Sequence, residues 1–209
     1  KLIITVDCGI KAIEKTNYAN QKNIDLIICD HHTPGPELPK AYAILDPKRE
    51  DCNYPYKELS GCGVAFKLLQ AYCKKTNDSF ENLAKLLDLV VVSIGSDIVP
   101  ITGENRTLAY FGLAQLNTNP QLGLKSIINI AGLENKEIQI NDIVFKIGPR
   151  INAAGRLESG KTAVELLTST NEAYVNKIAV EIDCINTNRK ELDAEITEHA
   201  LSMINESEI

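Results

Sequence analysis

The 209-residue chain lacks most of what would place it in a membrane, in an oxidising compartment or on duplex nucleic acid. Its longest apolar run, Leu86 to Ile94, is broken by Asp88 and falls far short of the ~20 residues that span a bilayer. Nothing at its start reads as a signal peptide. It opens on strand-like Leu2-Ile3-Ile4 without an initiator Met, which points to further residues upstream. Six cysteines (Cys8, Cys29, Cys52, Cys62, Cys73, Cys184) form no C-x-x-C pair, which argues for reduced thiols in the cytoplasm rather than a zinc site or a disulfide framework. Bases do not outnumber acids: 22 against 28 leave a net charge of −6. The broad basic footprint of a duplex binder is therefore missing, and any nucleic-acid contact must be local or supplied by another region. There is no internal repeat and no low-complexity tract. What is present is the composition of a globular protein, long enough to bury a core as one domain or one domain with an appendage.

The pattern begins with two short apolar runs that each stop at polar, metal-capable side chains. Ile3-Ile4-Thr5-Val6 ends in Asp7-Cys8-Gly9, and Leu26-Ile27-Ile28-Cys29 ends in Asp30-His31-His32. A helix over about Lys11 to Gln21 separates them. Strand, crossover helix and strand make a βαβ unit, which sets two buried strands parallel. Thr33-Pro34-Gly35-Pro36 forces a loop, and Ala41 to Leu45 reads as a third strand ended by Asp46-Pro47. Ser60-Gly61-Cys62-Gly63 leads into a helix bearing Val64, Ala65, Leu68, Leu69 and Tyr72 at helical spacing. Ser79 caps the next helix, which is apolar nearly all round from Leu83 to Ile94 and should be buried. Helices follow over Glu104 to Leu116 and Leu122 to Ala131, then a Gly/Ala loop from Gly148 to Leu157, then a short helix over Lys161 to Leu167. Asn171 to about Ile204 has no helix breaker, and Val175, Ile178, Ile182, Ile185, Leu192, Ile196 and Met203 form a narrow seam interrupted by Arg189 and His199. At 1.5 Å per residue this helix is roughly 50 Å long, and its seam needs a partner surface.

Five side chains form the candidate metal cluster: Asp7, Asp30, His31, His32 and Asp97. Carboxylates mixed with imidazoles and free of thiolates suit Mn²⁺, Mg²⁺ or Fe²⁺ better than structural Zn²⁺. In an open α/β sheet, ligands bind beyond the carboxyl ends of the strands, where Asp7 and Asp30 both fall. The alternative is that both aspartates merely cap turns or helices. Two adjacent strand ends with two of the chain's three histidines weigh against it. Asp97 has a positional case only, at the end of the most apolar helix. Arg150, Asn152 and Arg156 place two arginines in a Gly/Ala-rich stretch where a phosphate could be gripped bidentately, or where each could simply form a surface ion pair. Gly155 to Thr162 matches the Walker A pattern, but no strand feeds it and Glu158 would put a negative charge in the phosphate cradle, so a P-loop is not expected.

Four ordered segments resemble successive motifs of the DHH phosphoesterase superfamily: Val6-Asp7-Cys8-Gly9, Asp30-His31-His32, Ser93 to Pro100, and Arg150 to Leu157. The last, together with Ser60 to Leu68, is similar to the RecJ-like, single-strand-specific 5′→3′ exonucleases of that superfamily. The resemblance implies an α/β fold with a parallel sheet flanked by helices, then a largely helical part and a long connector helix. It places a phosphoesterase core over 1–170 and the connector over 171–209. It implies that Asp7 bridges two Mn²⁺ or Mg²⁺ ions, that His31 and Asp97 complete one ion's shell, and that Asp30 orients the imidazoles. His32 would face the scissile phosphate, held by Arg156 with Arg150 and Asn152 beside it.

The superfamily's Asp-x-Asp motif and its C-terminal partner domain have no counterpart in the sequence, so the chain is expected to bind metal weakly and to have little or no nuclease activity. The implied substrate is single-stranded DNA with a 5′ end, the implied partner a single-strand-binding protein, and the implied form a cytoplasmic monomer. A nanoRNase or cyclic-dinucleotide phosphodiesterase would use the same centre on shorter substrates, and a non-catalytic scaffold would keep only the fold.

Overall fold

The structure is a computed structural model that describes residues 1–155 and 160–206. It divides into two compact units, Lys1–Pro120 with Ile138–Ile143, and Gln121–Glu137 with Val144–Ile209. The long C-terminal helix falls in the second unit and packs on that unit's other helices.

In the first unit, strands β1 (Leu2–Val6), β2 (Asp25–Cys29) and β3 (Ala43–Leu45) form a parallel sheet in that order, with helix α1 (Ile13–Gln21) crossing between the first two. The register sets Val6 beside Cys29 and Cys29 beside Leu45, so all three strands end at one level. Each is followed at once by an aspartate: Asp7, Asp30 and Asp46 stand side by side on the carboxyl edge. The ladder continues through them, with Asp7 N donating to Cys29 O at 2.9 Å and Asp30 N to Leu45 O at 3.0 Å.

β2 is buried as expected, with Ile28 and Cys29 fully inaccessible. β1 is not: Leu2, Ile3, Ile4 and Val6 are all more than 40% exposed, because β1 is the edge strand of the described sheet and its faces are largely uncovered. An apolar run specifies a strand without saying how many sides are covered.

Helix α2 (Gly61–Thr76) starts at Ser60, whose Oγ accepts from Gly63 N at 3.1 Å. Ser79 likewise caps α3 (Phe80–Ala84), accepting from Glu81 N. The single apolar helix read after Ser79 is two helices. A tight turn at Lys85, with Leu86 N bonded to Leu83 O, separates α3 from α4 (Leu87–Ser96) and still turns Leu83 and Leu87 inward. α4 buries Val90, Val91, Val92 and Ile94 against α5 (Gly103–Thr118) and neighbouring elements. The return segment is pinned where Asn117 both donates to Ile138 O and accepts from Ile138 N, and it contains the short α7 (Ile140–Asp142).

The second unit is helical: α6 (Leu122–Ile130), α8 (Gly148–Ala154), α9 (Lys161–Thr168) and α10 (Glu172–Glu206). A π-helical stretch, Ile143–Ile147, leads into α8. The segment read as a Gly/Ala loop is therefore helical over Gly148–Ala154. Pro149 sits in its first turn, where a missing N–H costs nothing, and the alanines are strong helix formers. α10 buries Val175, Ile178, Ala179, Ile182 and Asn186 against its neighbours, whereas Leu192, Ile196 and Met203 are more than half exposed. No described helix is long and apolar enough to cross a membrane.

Candidate metal centre

The carboxyl edge of the sheet is where the chemistry gathers. At the end of β1 the chain turns sharply, with Asp7 at φ +60° and Gly9 at φ +113°. Aspartate tolerates the left-handed region better than most side chains, and glycine at no steric cost. Thr5 Oγ1 donates to Cys8 O at 2.9 Å and holds the turn, which delivers the Asp7 carboxylate onto the edge, half exposed.

Asp30 ends β2 in the opposite condition. It is 1% exposed, and its carboxylate accepts from Ile10 N (2.9 Å), His31 N (2.8 Å), His32 N (3.2 Å) and His32 Nδ1 (2.7 Å). Burial alone would push its carboxyl up, but the bonds from Ile10, from the His32 ring and from the two histidine amides outweigh it and hold the group below the ordinary carboxylate value. In turn the bond to Asp30 draws the His32 pKa upward, against a smaller opposing effect of burial.

The two imidazoles are held differently. Asp30 fixes the His32 ring but only the backbone of His31. The His31 ring is fixed by Leu59, whose carbonyl lies 3.0 Å from Nδ1. A carbonyl only accepts, so Nδ1 carries the proton and Nε2 is left with a lone pair. That lone pair points at Asp7 Oδ1 3.1 Å away. Two acceptors face each other at that distance only with a cation between them, either a proton or a metal ion. The spacing fits both: 3.1 Å is within the range of an N–H···O bond, and neighbouring ligands on an octahedral ion with bonds of ~2.1 Å lie about 3 Å apart.

Among the described residues, Asp7, His31 and His32 form a group whose ligand atoms all lie within 4.8 Å of one another. Asp97 lies outside that group but acts on it. Burial, and then the Asp97 charge, raise the Asp7 carboxyl above its ordinary value, while His31 and His32 pull the other way. Asp97 ends α4, where the helix dipole is itself negative, and its carboxylate has one weak donor, Ser93 Oγ at 3.4 Å. Ile98, next to it, is a β-branched residue at φ +53°, a strained backbone beside the cluster. Carboxylates with few donors beside the His31 Nε2 lone pair could hold a cation.

The proposed phosphate-gripping residues lie in the second unit. Arg150 is in α8, with Nε donating to Asp183 Oδ1 at 2.8 Å and an Nη to Lys146 O at 2.9 Å, so in this structure it follows its ion-pair alternative. Asn152 is exposed on the same helix. Arg156 lies outside the described residues, as do residues 157–159 of the Walker-like stretch. Sequence reasoning missed two contributors to the site, the Leu59 carbonyl and Gly61. The only signal for either was the Ser60-Gly61-Cys62-Gly63 run, which reads as a helix start.

Residues 1–94 match the DHH family, N-terminal domain. Over 203 residues the chain is 41% identical to the single-stranded-DNA-specific exonuclease RecJ of Bacillus subtilis strain 168, covering 97% of this chain and 25% of that protein. It is 36% identical to the Escherichia coli K12 protein of the same name over 213 residues, 97% of this chain and 37% of that protein. Among solved structures, RecJ from Thermus thermophilus in complex with Mn²⁺ superposes with a TM-score of 0.84 at 29% identity, over 96% of this chain and 30% of that one. The Mg²⁺ complex from the same organism gives 0.74 at 27% identity, over 95% of this chain and 27% of that one. The chain thus spans roughly a quarter to two-fifths of the curated relatives it matches.

Proposed function

Because this chain belongs to the DHH family, we propose that it carries part of the divalent-metal centre of a single-stranded-DNA-specific exonuclease that hydrolyses phosphodiester bonds from a 5′ end. The observation that carries this reading is the facing pair His31 Nε2 and Asp7 Oδ1, 3.1 Å apart with Nδ1 already committed to Leu59. Asp7 and His31 would hold Mn²⁺ or Mg²⁺, with Asp97 adding the next carboxylate. What such ions supply when bound is a water made nucleophilic near neutral pH and neutralisation of the phosphate charge.

This chain's own residues do the rest. Asp30 accepts a hydrogen bond from His32 Nδ1 and fixes the ring, and the same bond favours the protonated ring, whose Nε2–H would face a phosphate oxygen. Arg156, with Asn152 and Arg150, would bind that phosphate, Arg150 exchanging Asp183 for substrate. Residues 1–170 would form the phosphoesterase core and 171–209 a connector towards a further domain. The same reading carries a single-strand-binding protein as partner, a monomer as the acting form and the cytoplasm as location. The described cluster offers few carboxylates for two ions, so metal binding by this chain would be weak and hydrolysis slow.

The test is a long incubation at high protein concentration with 5′-phosphorylated single strands, duplex, dinucleotide and pyrophosphate side by side. Slow or no Mn²⁺-dependent loss of the single strand is expected, and any loss should be abolished in Asp7→Asn. Preference for dinucleotide or pyrophosphate, loss that persists in Asp7→Asn, or robust degradation of the single strand by this chain would overturn the reading.

A further inference from the structure

The residues before and at the start of α2 do more than begin a helix. Leu59 O holds the ring of one candidate ligand, His31, at 3.0 Å. Two residues later Gly61, buried at the first position of α2, lies against the other. A Cβ built on Gly61 would stand 2.5 Å from Asp7 Cγ and 2.7 Å from Asp7 Cβ, and closer still to Oδ1. Every one of its three nearest contacts belongs to the Asp7 side chain. Such separations are well inside van der Waals contact, and the near end of Asp7 is fixed by the turn at φ +60° and by the bond from Asp7 N to Cys29 O. The carboxylate therefore occupies the space that any side chain at position 61 would take.

We propose that Gly61 is a positioning residue for metal binding: its missing side chain lets the Asp7 carboxylate lie against the α2 backbone, where Oδ1 meets His31 Nε2. Leu59 and Gly61 together register two ligands, from β1 and from the loop after β2, on one short segment capped by Ser60. Supports of this kind tune metal sites because a ligand displaced by a fraction of an ångström no longer shares the ion. The inference rests on Asp7 being a cation ligand, and the experiment separates the two.

Mn²⁺ binding is followed by the electron paramagnetic resonance of the free ion, and folding by thermal melting, in the wild type, Gly61→Ala, Asp7→Gly and the double variant. Glycine at position 7 accepts the left-handed backbone and removes the three atoms nearest to a methyl group at position 61. In Gly61→Ala the expected loss of Mn²⁺ affinity is about 10- to 100-fold. In the Asp7→Gly background the same substitution should change affinity no further. Any melting temperature lost in Gly61→Ala should return in the double variant, which a purely helical role for Gly61 would not produce. Wild-type-like Mn²⁺ binding by Gly61→Ala overturns the proposal, as does a double variant that compounds both losses or stays as unstable as Gly61→Ala. Wild-type-like Mn²⁺ binding by Asp7→Gly removes the reading of Asp7 itself, and the inference with it.

Discussion

Strands β1 and β2 are five residues each, pair in parallel register and are each followed at once by an aspartate, yet those two aspartates are physically opposite. Asp30 is buried and receives four hydrogen bonds, three of them on Oδ1 and one on Oδ2. Asp7 is half exposed, sits at a left-handed turn, and has as its close side-chain neighbour the lone-pair nitrogen of His31. The difference teaches that donors around a carboxylate, more than its position on the sheet, decide whether it organises a site or ligates in it. On the proposed reading the carboxylate rich in donors is the scaffold and the bare one the ligand.

The sharpest way to break this contrast is Asp30→Ala. It strips the acceptor from three backbone N–H groups and one imidazole, and each buried orphan costs ~1–3 kcal/mol. A loss of about 3 kcal/mol or more is expected by urea unfolding. A loss under about 1 kcal/mol would mean that water serves those donors and that Asp30 is no scaffold. The strands themselves give a second contrast. Ile28→Ala, at a fully buried position, should cost about 2–5 kcal/mol, whereas Ile4→Ala, at a site 46% exposed, should cost under about 1. Equal costs would mean that β1 is covered in solution.

Asp7→Asn comes next. It keeps a residue that tolerates positive φ and removes the charge. Its stability should stay within about 0.5 kcal/mol of wild type. Mn²⁺ affinity by calorimetry should fall about 100-fold, or ~2.7 kcal/mol. Unchanged affinity would leave the facing pair explained by a proton alone.

How much of this was legible in the sequence follows from what each feature depends on. The strands and their terminal acids were readable, because β-branched runs stopped by Asp need only local pattern. The βαβ connection then made the parallel pairing of β1 and β2 expected. The long helix was readable from its seam, but the burial of only its first half was not, since periodicity says nothing of where a partner ends. The Leu59 carbonyl was invisible: a backbone acceptor 28 residues from His31 leaves no trace in residue identity. Gly61 was visible as a helix start and as part of a family-like motif but not as a neighbour of the cluster, because the reason for its missing side chain lies 54 positions earlier, at Asp7. The segment from Gly148 was misread because its small residues lack an apolar period, although Ala153 is buried in a helix.

The third strand end extends the comparison to its smallest expected effect. Asp46 follows β3, is 2% exposed like Asp30, and accepts one bond, from Lys48 N to Oδ1 at 2.8 Å. Its Oδ2 is buried with no partner. Burial raises its carboxyl above the ordinary value, against the Lys48 N–H bond, and the nearby Asp30 charge adds to the rise. As pH climbs past the unfolded value of about 3.9, the unfolded chain gives up this proton first. Folding stability from this group is therefore lost between that value and the raised folded one, and stays lost at neutral pH. Asp46→Asn keeps Oδ1 as the acceptor for Lys48 and cannot ionise. It should match wild type near pH 4 and be more stable by about 1 kcal/mol at pH 7, measured by urea unfolding at both values. A difference that does not change with pH would mean that Oδ2 is served by a donor in solution, and that all buried strand ends on this edge are as saturated as Asp30.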